Sequence, residues 1–185
     1  MSRQNEHTNA LLQECLKGKE RAQLEIYNRY YKAMYNTALR IVKHNAEAED
    51  IMQESFLNAF TKLHTYKGEV SFGSWLKRIV VNNSIYHYKK QKKFTTSNIE
   101  DVMHKVEDND GVTFEHNGYN ELKAQKVMET MKNLKDNYRI SLTLHLIEGY
   151  DYEEISTIMN ISYANCRTTI SRAKESLRKR LSVNT

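Results

Sequence analysis

Residues 66–93 read YKGEVSFGSWLKRIVVNNSIYHYKKQKK and form the stretch around which the rest of the chain is organised. A short loop around Gly68 ends at Ser71, which can cap a helix. Apolar residues then follow at helical spacing, namely Phe72, Trp75, Leu76, Ile79 and Val80. The stretch ends on four lysines, Lys89, Lys90, Lys92 and Lys93. The stretch combines an apolar seam that can be buried, several Asn and Tyr residues, and a basic end. This combination favours a helix that contacts nucleic acid. A surface helix with a solvated lysine-rich end is the alternative that this stretch leaves open.

The charge of the chain is unevenly distributed. Over 185 residues the formal net charge is +5, and the pI is about 9.0. Residues 1–93 carry 16 Lys and Arg against 9 Asp and Glu, residues 94–120 carry 1 against 6, and residues 121–185 carry 11 against 8. Two basic blocks therefore flank an acidic connector, which favours a polyanionic partner over an acidic substrate.

The composition predicts a helical, cytoplasmic protein. There is no proline and glycine is sparse, which favours long helices with few sharp turns. Cys15 and Cys166 lie far apart and match no metal-ligand spacing, as expected in a reducing compartment. No apolar run approaches membrane-spanning length. The first eight residues are polar and are expected to be disordered.

Periodicity divides the chain into two helical domains. The first, residues 1–93, contains the opening stretch and three earlier helices. An acidic linker follows over residues 94–120, with a transient helix expected at 102–106. The second domain covers residues 121–185. The predicted fold class is therefore all-α, with two small domains joined by a flexible acidic linker.

The third helix, expected over residues 46–63 with Asn45 as N-cap, has two contrasting faces. One is apolar and belongs to the core. The other is acidic and polar, carries an exposed leucine, and consists of Asp50, Gln53, Glu54 and Leu57. In an otherwise basic block this face suits docking to a basic or polar protein surface. A simple solvated face is the alternative.

The C-terminal helices form a helix-turn-helix pattern. Asp151 and Glu154 have capping-box spacing, and Ser162 can cap the last helix. That helix places Cys166 with the core and presents Arg167, Thr168, Ser171 and Arg172 outwards. Such a helix fits a DNA major groove, where Arg, Ser and Thr contact base edges or phosphates. A helical hairpin with a solvated basic face is the alternative.

Three motifs in this order resemble a bacterial RNA polymerase sigma factor of the sigma-70 family, extracytoplasmic-function (group 4) type. Residues 47–57, EAEDIMQESFL, resemble region 2.2, and residues 71–82, SFGSWLKRIVVN, resemble regions 2.3 and 2.4. Residues 148–156, EGYDYEEIS, with Ile161-Ser162 and residues 171–177, SRAKESL, resemble region 4. The resemblance spans about residues 16–181 apart from the linker.

The resemblance implies partners and roles for these residues. Core RNA polymerase is expected as a partner through its β′ coiled coil and its β flap, and the coiled coil is expected to bind Asp50, Gln53, Glu54 and Leu57. The −10 promoter element is expected to contact Tyr66, Lys67, Lys77, Arg78, Asn82, Asn83, Tyr86, Lys89 and Lys90. The −35 element is expected to contact Ser162, Tyr163, Asn165, Arg167, Thr168, Ser171 and Arg172. An anti-sigma factor is a further expected partner.

Several positions depart from the family pattern. Asn83 lies in the apolar seam, where the family often has a small or apolar residue, so its amide needs a partner. Tyr86 and Lys89 stand where Asp and Arg are common, and Cys166 replaces a buried valine. The departures at Asn83, Tyr86 and Lys89 affect which −10 sequence is read, and leave the role of the helix unchanged.

The sequence offers no catalytic constellation. It has no nucleophile–base pair, metal cluster or phosphate-binding glycine loop. We therefore expect a non-enzyme with no cofactor, no metal and no small-molecule substrate. Two rivals to the sigma-factor hypothesis are a conventional helix-turn-helix regulator that never docks polymerase and a helical adaptor with no nucleic-acid role.

Overall fold

The computed structural model describes residues 3–97 and 118–183, and within these ranges the chain is helical and contains no strand. It divides into two compact units, Met1–Asp101 and Val102–Thr185. The predicted all-α fold class is confirmed. Most of the expected linker, with the transient helix at 102–106, lies outside the described residues.

The described part of the first unit, residues 3–97, contains four helices: α1 Arg3–Leu16, α2 Glu20–Val42, α3 Asn45–Thr61 and α4 Phe72–Ser97. A 3₁₀ turn, Leu63–Thr65, follows α3. Helices α2, α3 and α4 pack mutually, and α1 packs on α2. Their shared core holds fully buried aliphatic side chains from three helices: Ile26, Ile41, Ile51, Leu76, Val80 and Val81.

The N-terminal residues from Arg3 onwards are helical, so the expected disorder of residues 1–8 is wrong for this part. The reason is tertiary. The guanidinium of Arg29 on α2 donates to the hydroxyl of Thr8 at 2.9 Å and contacts Nδ1 of His7 at 2.9 Å. Thr8 is buried. Contacts to α2 therefore stabilise a polar segment that would be marginal as an isolated helix.

The start of α3 also differs from the expectation. The N-cap is His44, not Asn45, because His44 has the extended backbone and its Nδ1 accepts from the amide of Glu47 at 3.3 Å. Ser71 caps α4 as predicted, accepting from the amide of Ser74 at 3.2 Å. Each cap satisfies an amide that has no intrahelical partner.

The second unit contains α5 Gly118–Lys132, α6 Asp136–Leu142, α7 Tyr152–Met159 and α8 Tyr163–Val183. The helix expected over residues 138–148 is instead α6 followed by a π-helical turn, Thr143–Ile147. Helix α8 packs on α5, α6 and α7. The core of the second unit includes Ile140, Leu142, Leu144, Ile155, Cys166 and Ile170.

The turn of the helix-turn-helix is built by local signals. Asp151 and Glu154 form a reciprocal capping box, with hydrogen bonds of 2.8 and 3.0 Å. Asn160 ends α7 in the left-handed region at φ 53°. Ser162 then accepts from the amide of Asn165 at 3.2 Å, so it caps α8 as predicted.

Candidate nucleic-acid interface

The predicted docking face of α3 is continuous and open to solvent. Asp50, Gln53, Glu54 and Leu57 are all exposed, and Leu57 retains 68% of its surface. The opposite face of α3 is buried through Ala48, Ile51, Met52, Ser55, Phe56 and Ala59. Because these core residues fix the rotation of the helix, the four surface residues are presented together.

One carboxylate of this face is tied to the neighbouring helix. Oε2 of Glu54 lies 3.1 Å from Nε2 of His87 on α4. Gln53 instead bonds within α3, donating to Oε1 of Glu49 at 3.4 Å. His87 was missed at the sequence level, because helical periodicity predicts a buried face without saying which residues meet across it.

An exposed stripe of Arg78, Asn82, Tyr86 and Lys89 runs along α4, with spacings of three or four residues. Tyr86 is 63% exposed, although large aromatic side chains usually lie inside. Partial burial lowers the pKa of Lys89. The stripe combines cationic, amide and aromatic groups, which can contact phosphates, base edges and base faces respectively.

The other residues expected at the −10 element occupy different positions. Lys67 and Lys90 are exposed, whereas Lys77 is half-buried and lies outside the stripe. Asn83 points at α3 and donates from Nδ2 to Oγ of Ser55 at 3.0 Å. Ser55 in turn donates to the carbonyl of Ile51 at 2.6 Å. The amide that conflicted with the apolar seam therefore has a buried partner.

The loop before α4 is closed by its own tyrosine. The hydroxyl of Tyr66 donates to the carbonyl of Val70 at 2.7 Å. Its ring packs against Phe72 and Trp75, at centroid distances of 5.7 and 5.4 Å. Burial raises the pKa of Tyr66. Gly68 turns the loop at φ +76°, a conformation that other residues rarely adopt. The loop is thus held in one shape on an aromatic base.

The outer face of α8 carries the residues expected at the −35 element. Ser162, Tyr163, Asn165, Arg167, Thr168, Ser171 and Arg172 are all exposed. Thr168 donates to the carbonyl of Ala164 at 2.9 Å. Thr169, which was not predicted, donates to Oδ1 of Asn165 at 3.3 Å and orients its amide. The reverse face is buried through Cys166, Ile170, Ala173 and Leu177.

Metal binding, membrane insertion and thiol chemistry find little support among the described residues. Across residues 3–97 and 118–183, acidic, His and Cys side chains do not gather into a group able to hold a metal ion. None of the helices described there has the length and apolarity needed to cross a membrane. Burial raises the pKa of both Cys15 and Cys166, as is typical of unreactive core thiols.

Comparisons with known proteins match one family region in each of the two units. The family described as Sigma-70 region 2 matches residues 26–94, and Sigma-70, region 4 matches residues 124–177. The ECF RNA polymerase sigma factor SigM of Bacillus subtilis (strain 168) is 32% identical over 165 residues, covering 83% of this chain and 91% of SigM. The ECF RNA polymerase sigma-E factor of Haemophilus influenzae is 27% identical, covering 93% and 94%.

Two solved structures share the fold at 19% identity. One is the sigma factor RpoE in complex with the anti-sigma factor NepR from Bartonella quintana, with a TM-score of 0.59, covering 87% of this chain and 97% of RpoE. The other is CnrH in complex with the cytosolic domain of CnrY, with a TM-score of 0.56, covering 95% and 97%.

The matched regions and relatives define a promoter-specific transcription initiation factor. The chain belongs to the extracytoplasmic-function (ECF) class of the sigma-70 family.

Proposed function

We propose that this sigma factor directs RNA polymerase to promoters through three separate surfaces. They are the acidic face of α3, the α4 stripe with the loop before it, and the outer face of α8. The observation that carries the proposal is the contrast between α3 and α4. The two helices pack together, yet α3 presents an acidic face with an exposed leucine and α4 presents a basic stripe with an exposed tyrosine. The first surface suits a protein partner and the second suits DNA.

The face of α3 is proposed to bind the β′ coiled coil of core polymerase. Asp50 and Glu54 supply charge for steering and register, and exposed Leu57 supplies an apolar anchor. The second unit is proposed to meet the β flap. Both assignments rest on family membership together with the exposure of these residues.

The stripe on α4 is proposed to hold the −10 element as it opens. Extruding a base costs a few kcal/mol of free energy, and stacking of that base on an aromatic side chain contributes about 1–3 kcal/mol of stabilisation. Exposed Tyr86 can provide that stacking, Asn82 can pair with a base edge, and Arg78 and Lys89 can hold phosphates. The loop closed by Tyr66 is proposed to receive an extruded base.

The outer face of α8 is proposed to read the −35 element as a duplex. A major groove about 12 Å wide admits one helix. Arg167 and Arg172 can make bidentate contacts with guanine, and the start of α8, which Ser162 caps, can contact a phosphate.

We propose that the protein performs no covalent chemistry and needs no cofactor, because synthesis belongs to the polymerase. Its site of action is proposed to be the cytoplasm, where polymerase and DNA are found. An anti-sigma factor is a proposed regulator, consistent with the fold shared with the sigma factor RpoE, which was solved in complex with the anti-sigma factor NepR.

The proposal is tested by charge reversal on α3. The variant Asp50→Lys/Glu54→Lys should lose co-elution with core polymerase and promoter-dependent run-off transcription while keeping its circular dichroism spectrum. Glu6→Lys/Glu20→Lys makes the same charge change on exposed residues of α1 and α2 and should behave as wild type. Sequencing of transcripts after overexpression should show a shared −35/−10 pair.

The rival functions give different results. Wild-type protein that binds promoter duplex without co-eluting with core polymerase is a conventional regulator. Wild-type protein that supports no promoter-dependent transcript is an adaptor. Either result contradicts the proposed function.

A further inference from the structure

His87 lies between the two candidate surfaces of the first unit. It is the residue on α4 that contacts Glu54 of the docking face, and it immediately follows Tyr86 of the DNA-facing stripe. Its side chain is only 30% exposed, so it sits beneath both surfaces. Neither the sequence pattern nor the family roles assign it a function.

The contact with Glu54 has a defined direction. An ionised carboxylate can only accept a hydrogen bond, so Nε2 of His87 is the donor to Oε2 across 3.1 Å. The Glu54 side chain remains 52% exposed, and its second oxygen can accept from a partner. His87 therefore restricts the Glu54 side chain without removing it from the docking face.

The contact with Tyr86 is made through the ring. The two ring centroids are 5.7 Å apart and the planes meet at 84°, an edge-to-face arrangement. Tyr86 is 63% exposed. Contact with the imidazole limits the orientations available to its ring.

The position of His87 is itself fixed by the packing of α4. Asn83, one turn earlier on α4, donates to Ser55, and His87 donates to the adjacent Glu54. These two polar contacts, one with a buried partner and one near the surface, help to fix the register between α3 and α4. The imidazole is therefore a preorganised group, with its donor aimed at one functional surface and its ring at the other.

We propose that His87 is a positioning residue shared by the two surfaces, orienting Glu54 for polymerase docking through its Nε2–H and Tyr86 for base stacking through its ring. The proposal rests on the proposed function and deepens it. Preorganisation raises affinity by lowering the entropy lost on binding. Because the contacts are partly exposed, each effect should be about two- to five-fold.

Two substitutions separate the roles of the donor and the ring. His87→Gln retains an N–H donor at similar reach but lacks the ring, whereas His87→Phe retains a ring but lacks the donor. His87→Ala lacks both. A residue that acted only by stabilising the fold would shift both binding activities together in every variant.

The experiment measures two dissociation constants for each variant. The first is that of the full-length protein for core polymerase. The second is that of holoenzyme, formed with saturating core, for a fluorescein-labelled 15-nucleotide single strand carrying the −10 sequence mapped from induced transcripts. We expect His87→Ala to weaken both about two- to five-fold. His87→Gln should restore only core binding, and His87→Phe should restore only strand binding.

The control is His44→Ala, which removes the N-cap of α3, the helix that carries Glu54, and leaves His87 on α4 unchanged. It should lower stability in urea and leave both constants near wild type. The proposal is overturned if His87→Ala changes neither constant, if Gln and Phe have the same effect in both assays, or if His44→Ala reproduces the losses of His87→Ala. Wild-type protein that binds neither core nor strand would overturn the proposed function as well.

Discussion

The two units of this sigma factor orient their functional helices by different means. In the first unit α2 and α4 are long, at 23 and 26 residues, and α4 is held by a buried apolar seam. In the second unit α6 and α7 are only 7 and 8 residues long. There, a capping box, a left-handed Asn160 and the Ser162 cap define the turn before α8.

Tertiary packing sets the exposed face of α4 in the first unit, whereas local hydrogen bonds help to set where α8 begins in the second unit. Helix α4 exposes its stripe because Leu76, Val80 and Val81 are fully buried against neighbouring helices. Helix α8 is also anchored by a core face, but its starting point is fixed by hydrogen bonds only three residues apart in sequence. Core substitutions should therefore affect the first surface most, and cap substitutions the second.

The largest effect is expected from Leu76→Ala. Removing this fully buried side chain should lower the free energy of unfolding of the first unit by about 2–5 kcal/mol, through lost burial and a residual cavity. Leu57→Ala, at an exposed position on the adjacent α3, should change it by less than about 0.5 kcal/mol. Urea denaturation followed by Trp75 fluorescence measures both. Equal losses would contradict the assigned core.

Arg167→Ala or Arg172→Ala should weaken binding of −35 duplex by about 1–3 kcal/mol where the arginine is bidentate to a base. Arg21→Ala removes the same charge from an exposed position on α2 and should change binding little. Fluorescence anisotropy with labelled duplex gives the affinities. An arginine whose loss has no effect does not belong to the reading surface.

Asp151→Ala tests local control of the second unit. Loss of the capping box should lower the free energy of unfolding of this unit by about 0.5–2 kcal/mol. Asp151→Asn keeps an accepting oxygen and should retain most of the stability. Chemical denaturation, followed by circular dichroism, compares the three proteins. If Asn were as destabilising as Ala, the charge rather than the cap would be responsible.

Tyr66→Phe tests the loop before α4. Removing the hydroxyl deletes the bond to the Val70 carbonyl while keeping the packed ring, so binding of the −10 single strand by holoenzyme should weaken by about 0.5–1.5 kcal/mol. Tyr138→Phe removes a tyrosine hydroxyl from the second unit and should leave the affinity for the −10 single strand unchanged. Unchanged strand affinity would show that loop closure does not contribute.

The smallest effect concerns the two buried thiols, one in each unit. Burial raises the pKa of Cys15 and Cys166, so the folded state keeps these protons to higher pH than the unfolded state, whose thiols ionise near pH 8.5. Stability should therefore fall slightly as pH rises above about 8.5. A Cys15→Ala/Cys166→Ala variant should lack this component of the pH dependence in urea denaturation. If the variant and the wild type showed the same pH dependence of stability, groups other than these two thiols would be responsible for it.

Local patterns accounted for much of the fold and of the candidate site. Ser71, Asp151 and Ser162 were predicted as caps because capping depends on side chains within three residues of the amides they satisfy. The docking face and the outer face of α8 followed from helical period, whereas the residues of the α4 stripe were implied by the family resemblance. The cap of α3 was misassigned by one residue because backbone conformation distinguishes His44 from Asn45, and the sequence pattern does not.

The sequence by itself determined the all-α class, the family and the faces that α3, α4 and α8 expose. Only the tertiary structure decided which residues meet between helices: Arg29 with the N-terminal helix, Asn83 with Ser55, and His87 with Glu54. The physical reason is that helical period specifies which side of a helix is buried, whereas the residue opposite depends on the register of a second helix many positions away.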